Sequence, residues 1–82
     1  MNTDLIFGKV LKAIRIKKDI SQEELAYQST LDRTYISMLE RGVNQPSLNT
    51  VLLVAKGLNM RASDLVRLIE IEIEMENERN NT

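Results

Sequence analysis

Eighty-two residues with eleven Lys/Arg, twelve Asp/Glu and a net charge of −1 make one domain, near the lower size limit for a single core. Cysteine and histidine are both absent, which removes disulfides, thiolate metal sites and the commonest general base. No apolar run approaches the roughly 20 residues that cross a bilayer.

Phe7, Tyr27 and Tyr35 are the only aromatics, so an aliphatic core in a small helical bundle is expected. Met1-Asn2-Thr3-Asp4 has neither the basic start nor the apolar run of a secretory signal. The expectation is a cytoplasmic protein, nucleoid-associated if it binds DNA, with no membrane contact, no cofactor and no metal.

The near-zero net charge hides a division. Residues 1–61 hold nine Lys/Arg against six Asp/Glu, a net of +3, and residues 62–82 hold Arg67 and Arg79 against six acids, a net of −4. One end is suited to face phosphate while the other is held away from it; a solubilising acidic tail explains the same pattern.

Apolar spacing predicts helix 1 over 4–18, with Phe7, Val10, Leu11 and Ile14 inward. Ser21-Gln22-Glu23-Glu24 reads as a capping box that starts helix 2, with Ser21 as N-cap and Glu24 closing it. Helix 2 ends near Ser29. A short turn, Ser29-Thr30-Leu31-Asp32, leads to helix 3 over about 33–41, with Asp32 as N-cap and Ile36 and Leu39 inward. Gly42 stands where a left-handed residue closes a helix. After the Val43-Asn44-Gln45-Pro46 loop, Ser47 caps helix 4, whose Leu48, Val51, Leu52, Ala55 and Leu58 lie at helical spacing.

Helix 5 begins between Ala62 and Asp64 and runs to about Glu78. At about 100° per residue, Leu65, Val66, Ile69 and Ile73 share one arc, and Leu68, Ile71 and Met75 share another. One stripe can pack on the domain's own core. The second needs a partner, and a twofold homodimer is the economical one. Ile71–Glu76 also alternates like a strand, but Glu, Met and Leu favour helix and there is no second strand to pair with. The organisation expected is a single domain over 1–78, with a dimerisation helix at about 62–78 and a frayed tail at 79–82.

Ser21-Gln22-Glu23-Glu24-Leu25-Ala26, Tyr35-Ile36-Ser37-Met38-Leu39-Glu40-Arg41-Gly42 and Pro46-Ser47-Leu48, with Phe7-Gly8 leading into a basic first helix, resemble the lambda-repressor/Cro-type helix-turn-helix family. The string Leu31-Asp32-Arg33-Thr34-Tyr35-Ile36-Ser37 is similar, more narrowly, to the controller proteins of bacterial restriction–modification systems. Those are small dimers that control transcription of the endonuclease gene and of their own. The resemblance implies an all-α, five-helix bundle with helix 3 in the major groove of double-stranded DNA and helix 2 against the backbone. It also implies a buried structural ion pair between Arg15 and Glu40.

The residues themselves suggest a division of labour. Helix 3 sends Arg33, Thr34 and Ser37 away from Ile36 and Leu39, where base edges are read. The planar fork of Arg33 suits guanine O6 and N7; an ordinary solvated arginine is the alternative. Tyr35 joins the base-reading set, with packing across the helix as its other use. The resemblance implies that Gln22, at the first turn of helix 2, binds phosphate, and Asn44, Gln45, Ser47 and Asn49, in the loop and the start of helix 4, are similar candidates. Glu23 lies at the exposed start of helix 2, where the resemblance to repressors that also activate implies a contact with RNA polymerase; complementing the helix dipole is the other role.

Two other classes compete. A protein-interaction module or antitoxin-type regulator using the same fold accounts equally well for the second stripe, though not for a polar, basic helix 3. An enzyme is disfavoured, because no glycine-rich phosphate loop accompanies the missing nucleophile and base. Glu70, Glu72, Glu74 and Glu76 diverge around a helix rather than converge on a metal.

Overall fold

The computed structural model describes residues 2–80, and these form α1 (Thr3–Lys17), α2 (Gln22–Ser29), α3 (Arg33–Glu40), α4 (Leu48–Gly57) and α5 (Ala62–Asn80). Among the described residues there is no strand, so the alternating Ile71–Glu76 segment is helical.

Each of the first four helices starts from a polar residue in extended conformation and stops in the same way. Asn2 Oδ1 accepts the Asp4 and Leu5 amides at 3.0 and 3.2 Å. Ser21 Oγ accepts the Glu24 amide at 3.0 Å, satisfying donors that a helix start leaves orphaned. The reciprocal half of the expected capping box does not form, because the Glu24 carboxylate accepts Gln28 Nε2 at 3.0 Å instead. Asp32 occupies the N-cap position of α3, yet its side chain makes no capping bond.

At the other ends, Asp19, Thr30, Gly42 and Asn59 adopt left-handed backbone conformations with φ of 58°, 57°, 73° and 56°. After α3 the Gly42 amide bonds Leu39 O at 3.1 Å and the Val43 amide bonds Met38 O at 3.0 Å, the double closure of a Schellman motif. Glycine takes this geometry freely, and Asn and Asp tolerate it. Thr30 is β-branched and takes it at a cost of about 1–2 kcal/mol. That threonine lies in the turn joining α2 to α3.

Ile6, Phe7, Val10 and Leu11 from α1, Leu25 and Ala26 from α2, Ile36 and Leu39 from α3, Val54, Ala55 and Leu58 from the α4 region, and Leu65 and Ile69 from α5 form one core. Three apolar residues at helical spacing are not inside. Leu48 is 75% exposed, and Leu52 and Val66 are about half exposed. Leu48 and Leu52 lie at helical spacing with Val51, Ala55 and Leu58, but the buried face of α4 is centred on Thr50, Val54 and Ala55. Val66 lies about 100° around the helix from Leu65, beyond the edge of the α5 stripe that faces the core.

Two small residues set how closely helices approach. An added Cβ on Gly8 would fall 2.6 Å from Glu40 O and closer still to Leu39 O, so α1 rests directly on the backbone at the C-terminal end of α3. Ser29, fully buried, turns its hydroxyl back to Leu25 O at 2.6 Å, which lets α2 pack against Gly57 of α4.

The C-terminal end of α5 is tied down. Lys9 Nζ lies 3.2 Å from Glu72 and 3.6 Å from Glu76, and Arg79 Nη2 lies 2.9 and 2.5 Å from the same two carboxylates. Hydrogen bonds from Arg79 and then Lys9 hold the Glu72 carboxyl below the usual carboxylate range. Helix α5 runs through Asn80, and of the tail at 79–82, residues 81 and 82 lie outside the described residues.

Gly8→Ala should destabilise the fold by about 1–3 kcal/mol, because backbone rather than a flexible side chain must yield. Urea unfolding of the two proteins measures the difference. An unchanged midpoint would mean that α1 and α3 can move apart freely.

Candidate nucleic-acid interface

The helix-turn-helix unit is α2, the three residues Thr30-Leu31-Asp32, and α3. Its geometry is fixed from beneath by an ion pair. Arg15 Nε lies 2.6 Å from Glu40 Oε2, and Arg15 Nη2 donates to Glu40 Oε1 at 3.1 Å. The third arm, Nη1, donates to Ile20 O at 2.9 Å. The Arg15 side chain is 12% exposed and that of Glu40 3%. Such a bidentate pair carries geometric specificity as well as energy. It joins α1, the segment entering α2, and the last turn of α3.

On the outer side of α3 the residues are free. Arg33 and Thr34 are exposed and Ser37 is half-buried. Among the described residues, none of the three side chains has a hydrogen-bond partner in the protein. Tyr35 is different. It is half-buried and packed against the core, and its hydroxyl lies 3.4 Å from Thr50 Oγ1.

The candidate phosphate donors divide likewise. Gln45 and Asn49 are exposed, with no side-chain hydrogen bond among the described residues. Ser47 is engaged at the start of α4, where its oxygen accepts the Thr50 amide at 3.1 Å and its hydroxyl donates to Thr50 Oγ1 at 3.0 Å. Asn44 is half-buried, its Nδ2 3.9 Å from Met38 Sδ. Gln22, at the first turn of α2, donates through Nε2 to Glu40 Oε1 at 3.0 Å. Glu23 is exposed beside it.

Sequence reasoning passed over Thr50. It is buried, and its hydroxyl accepts that of Ser47 and lies within reach of that of Tyr35, so three hydroxyls tie α3 to the start of α4. The signal was present in Ser47-x-x-Thr50, where a cap and the residue of its bonded amide face each other. Arg41, at the end of α3, was also passed over; it lies back along the helix with Nε 3.4 Å from Ser37 O.

An outward, unpartnered face on a short helix held at a fixed angle to a capped helix is the arrangement of a DNA reader. A family model described as helix-turn-helix matches residues 11–65. The chain belongs to the helix-turn-helix family of lambda-repressor/Cro type. The helix-turn-helix relatives include control protein C.BamHI of Bacillus amyloliquefaciens, 41% identical over 79% of this chain and 82% of that one. Control protein C.MunI of a Mycoplasma species is 43% identical over 80% of this chain and 90% of the relative. Among solved structures, the restriction–modification controller protein C.Esp1396I, as a tetramer on its natural 35 base-pair operator, superposes with a TM-score of 0.84 at 36% identity, over 89% of this chain and 96% of that one. This helix-turn-helix chain is a DNA-binding regulator close to the controller proteins, and the relatives named are control proteins rather than enzymes. No helix among the described residues is long and apolar enough to cross a membrane.

Arg15→Leu should cost on the order of 3–5 kcal/mol, because it strands the Glu40 carboxylate in a nearly dry site. Chemical denaturation against the wild type reads this directly, and a loss below about 1 kcal/mol, the range of exposed pairs, would show that the pair behaves as a surface one.

Proposed function

We propose that this chain is a sequence-specific transcriptional regulator that binds a pseudo-palindromic operator as a homodimer, in the manner of a restriction–modification controller acting on the endonuclease gene and on its own. The observation that carries the reading is the row Arg33, Thr34 and Ser37 on α3, outward and without protein partners. Arg33 reads a guanine through its two-pronged guanidinium. Thr34 offers a methyl to thymine and a hydroxyl to a base edge, and Ser37 supplies a short donor deeper along the helix. Tyr35 contributes at the rim of this set, braced by Thr50.

Gln22, Gln45 and Asn49 contact phosphate, with Asn44 and the Ser47 end of α4 beside them. These neutral donors fix register without specifying sequence. Because few are cationic, binding is expected to fall less steeply with salt than is usual for operators of this kind. Glu23 is left facing outward next to the DNA, in position to touch RNA polymerase. A regulator of this type works in the cytoplasm, at the nucleoid.

The dimer forms through α5, the dimerisation part of the single domain over 1–78. Leu68, Ile71 and Met75 are 39%, 44% and 45% exposed. Leu68 and Ile71 border a groove of about 660 Å³ with Val10, Ala13, Ile14 and Met60. A row of this kind left in water by a monomer is a marker of a protein interface. The tetrameric C.Esp1396I–operator complex supports self-association on DNA. A scaffold without DNA binding would use the same row, but it gives no reason for a polar, unpartnered α3.

Selection from a randomised duplex library should enrich a pseudo-palindrome whose half-sites are about 34 Å apart, one turn of DNA; recovery of no common sequence would sink the reading. On the enriched duplex, Arg33→Ala should cost about 1–3 kcal/mol and relax discrimination at one base pair in each half-site. Unchanged affinity and selectivity would remove Arg33 from the reading set. Ile71→Lys should shift the protein toward monomer in sedimentation and weaken operator binding with it. A fully dimeric Ile71→Lys protein would mean that the interface lies elsewhere.

A further inference from the structure

The carboxylate of Glu40 makes one bond more than the ion pair needs. Its Oε1 accepts Arg15 Nη2 at 3.1 Å and also Gln22 Nε2 at 3.0 Å. A primary amide carries two N–H donors on one side and an acceptor oxygen on the other. A carboxylate paired with arginine offers acceptors only. Glu40 therefore dictates which way round the Gln22 amide sits, since the flipped amide would set its oxygen against a carboxylate oxygen. With one N–H given to Glu40, the second remains as an unused donor at the first turn of α2. Among the described residues it has no other protein partner.

We propose that Glu40 is a positioning residue for DNA binding. Through its bond to Gln22 it holds that amide with its nitrogen available to a backbone phosphate, so the buried ion pair sets the grip of α2 as well as the stability of the domain. This rests on the reading of Gln22 as a phosphate contact. Arg15 aligns the carboxylate through two bonds, the carboxylate orients the amide, and the amide meets phosphate only in the orientation so fixed.

A purely structural role makes a different prediction. Replacing both members of a buried pair with apolar residues of similar volume commonly preserves stability. Arg15→Met together with Glu40→Leu removes the acceptor for Gln22 while leaving the interior packed. On the duplex enriched by the wild-type protein, Gln22→Ala and the double replacement should each lose about tenfold in affinity, the loss expected for one good hydrogen bond to a charged group. Adding Gln22→Ala to the double replacement should cost nothing more. A folded double-replacement protein that binds like wild type, or one in which Gln22→Ala still takes its full toll, overturns the role of Glu40. The wild-type protein supplies a second measurement that does not depend on any variant folding. In NMR spectra of the side-chain amides, one Gln22 Nε2 proton should already be displaced in the free protein and the other should move when the duplex is added; two unmoved signals overturn the proposal. Should the wild type enrich no duplex at all, the DNA reading fails with it, whereas enrichment with an indifferent Glu40 removes only the positioning role.

Discussion

A single ion pair holds this domain's functional geometry together. Arg15 and Glu40 meet where α1, the segment entering α2, and the end of α3 converge, and the pair is nearly shut off from water. A charge in that setting is tolerable only while its partner and its remaining hydrogen bonds are in place. The guanidinium has all three of its nitrogens engaged, and both carboxylate oxygens are in use. The pair thus acts as a joint with a defined angle. Gly8 complements it by letting the α1 backbone come down onto the last turn of α3, beside Glu40. Close approach and buried charge specify the same relative placement of α1 and α3.

Much of the fold could be read in the sequence because local and global preferences agree. Ser21, Ser47 and Gly42 act where their chemistry says they should, and caps and apolar spacing together located every helix. The misreadings have physical causes. Leu48, Leu52 and Val66 are apolar at helical spacing, yet spacing fixes a face only to within an arc, and the tertiary neighbours choose the centre of that arc. Glu24 was a sound partner for the Ser21 cap, but Gln28, one turn on, offers a donor without bending the carboxylate back. Arg79 looked like part of a polar fringe because its partners, Glu72 and Glu76, lie a turn or two back along the same helix, and their common link to Lys9 of α1 depends on packing.

The candidate site was legible in outline and less so in its connections. That Thr34 faces outward follows from Ile36 and Leu39 facing inward, whereas Arg33, only about 60° around the helix from Ile36, is exposed because it opens the first turn. Whether a polar side chain is free or already engaged depends on contacts between helices, which periodicity does not report. Gln22 bonds to Glu40 across 18 positions, and Tyr35 reaches Thr50 across 15. The candidate donors consequently fall into two groups, those at rest in water and those already braced by the protein. Only the first group pays the full entropic cost of being ordered by a partner.

The brevity of the link between α2 and α3 has a mechanical consequence. Three residues, one of them a threonine held at φ 57°, leave no slack for either helix to adjust separately. The two helices behave like the pins of a plug on a common moulding. On the proposed operator, a misplaced phosphate could not be accommodated by tilting one pin, and the error would be carried whole to the pin proposed to face the bases. Through that rigidity, the proposed phosphate contacts, blind to sequence themselves, would take part in rejecting a wrong one.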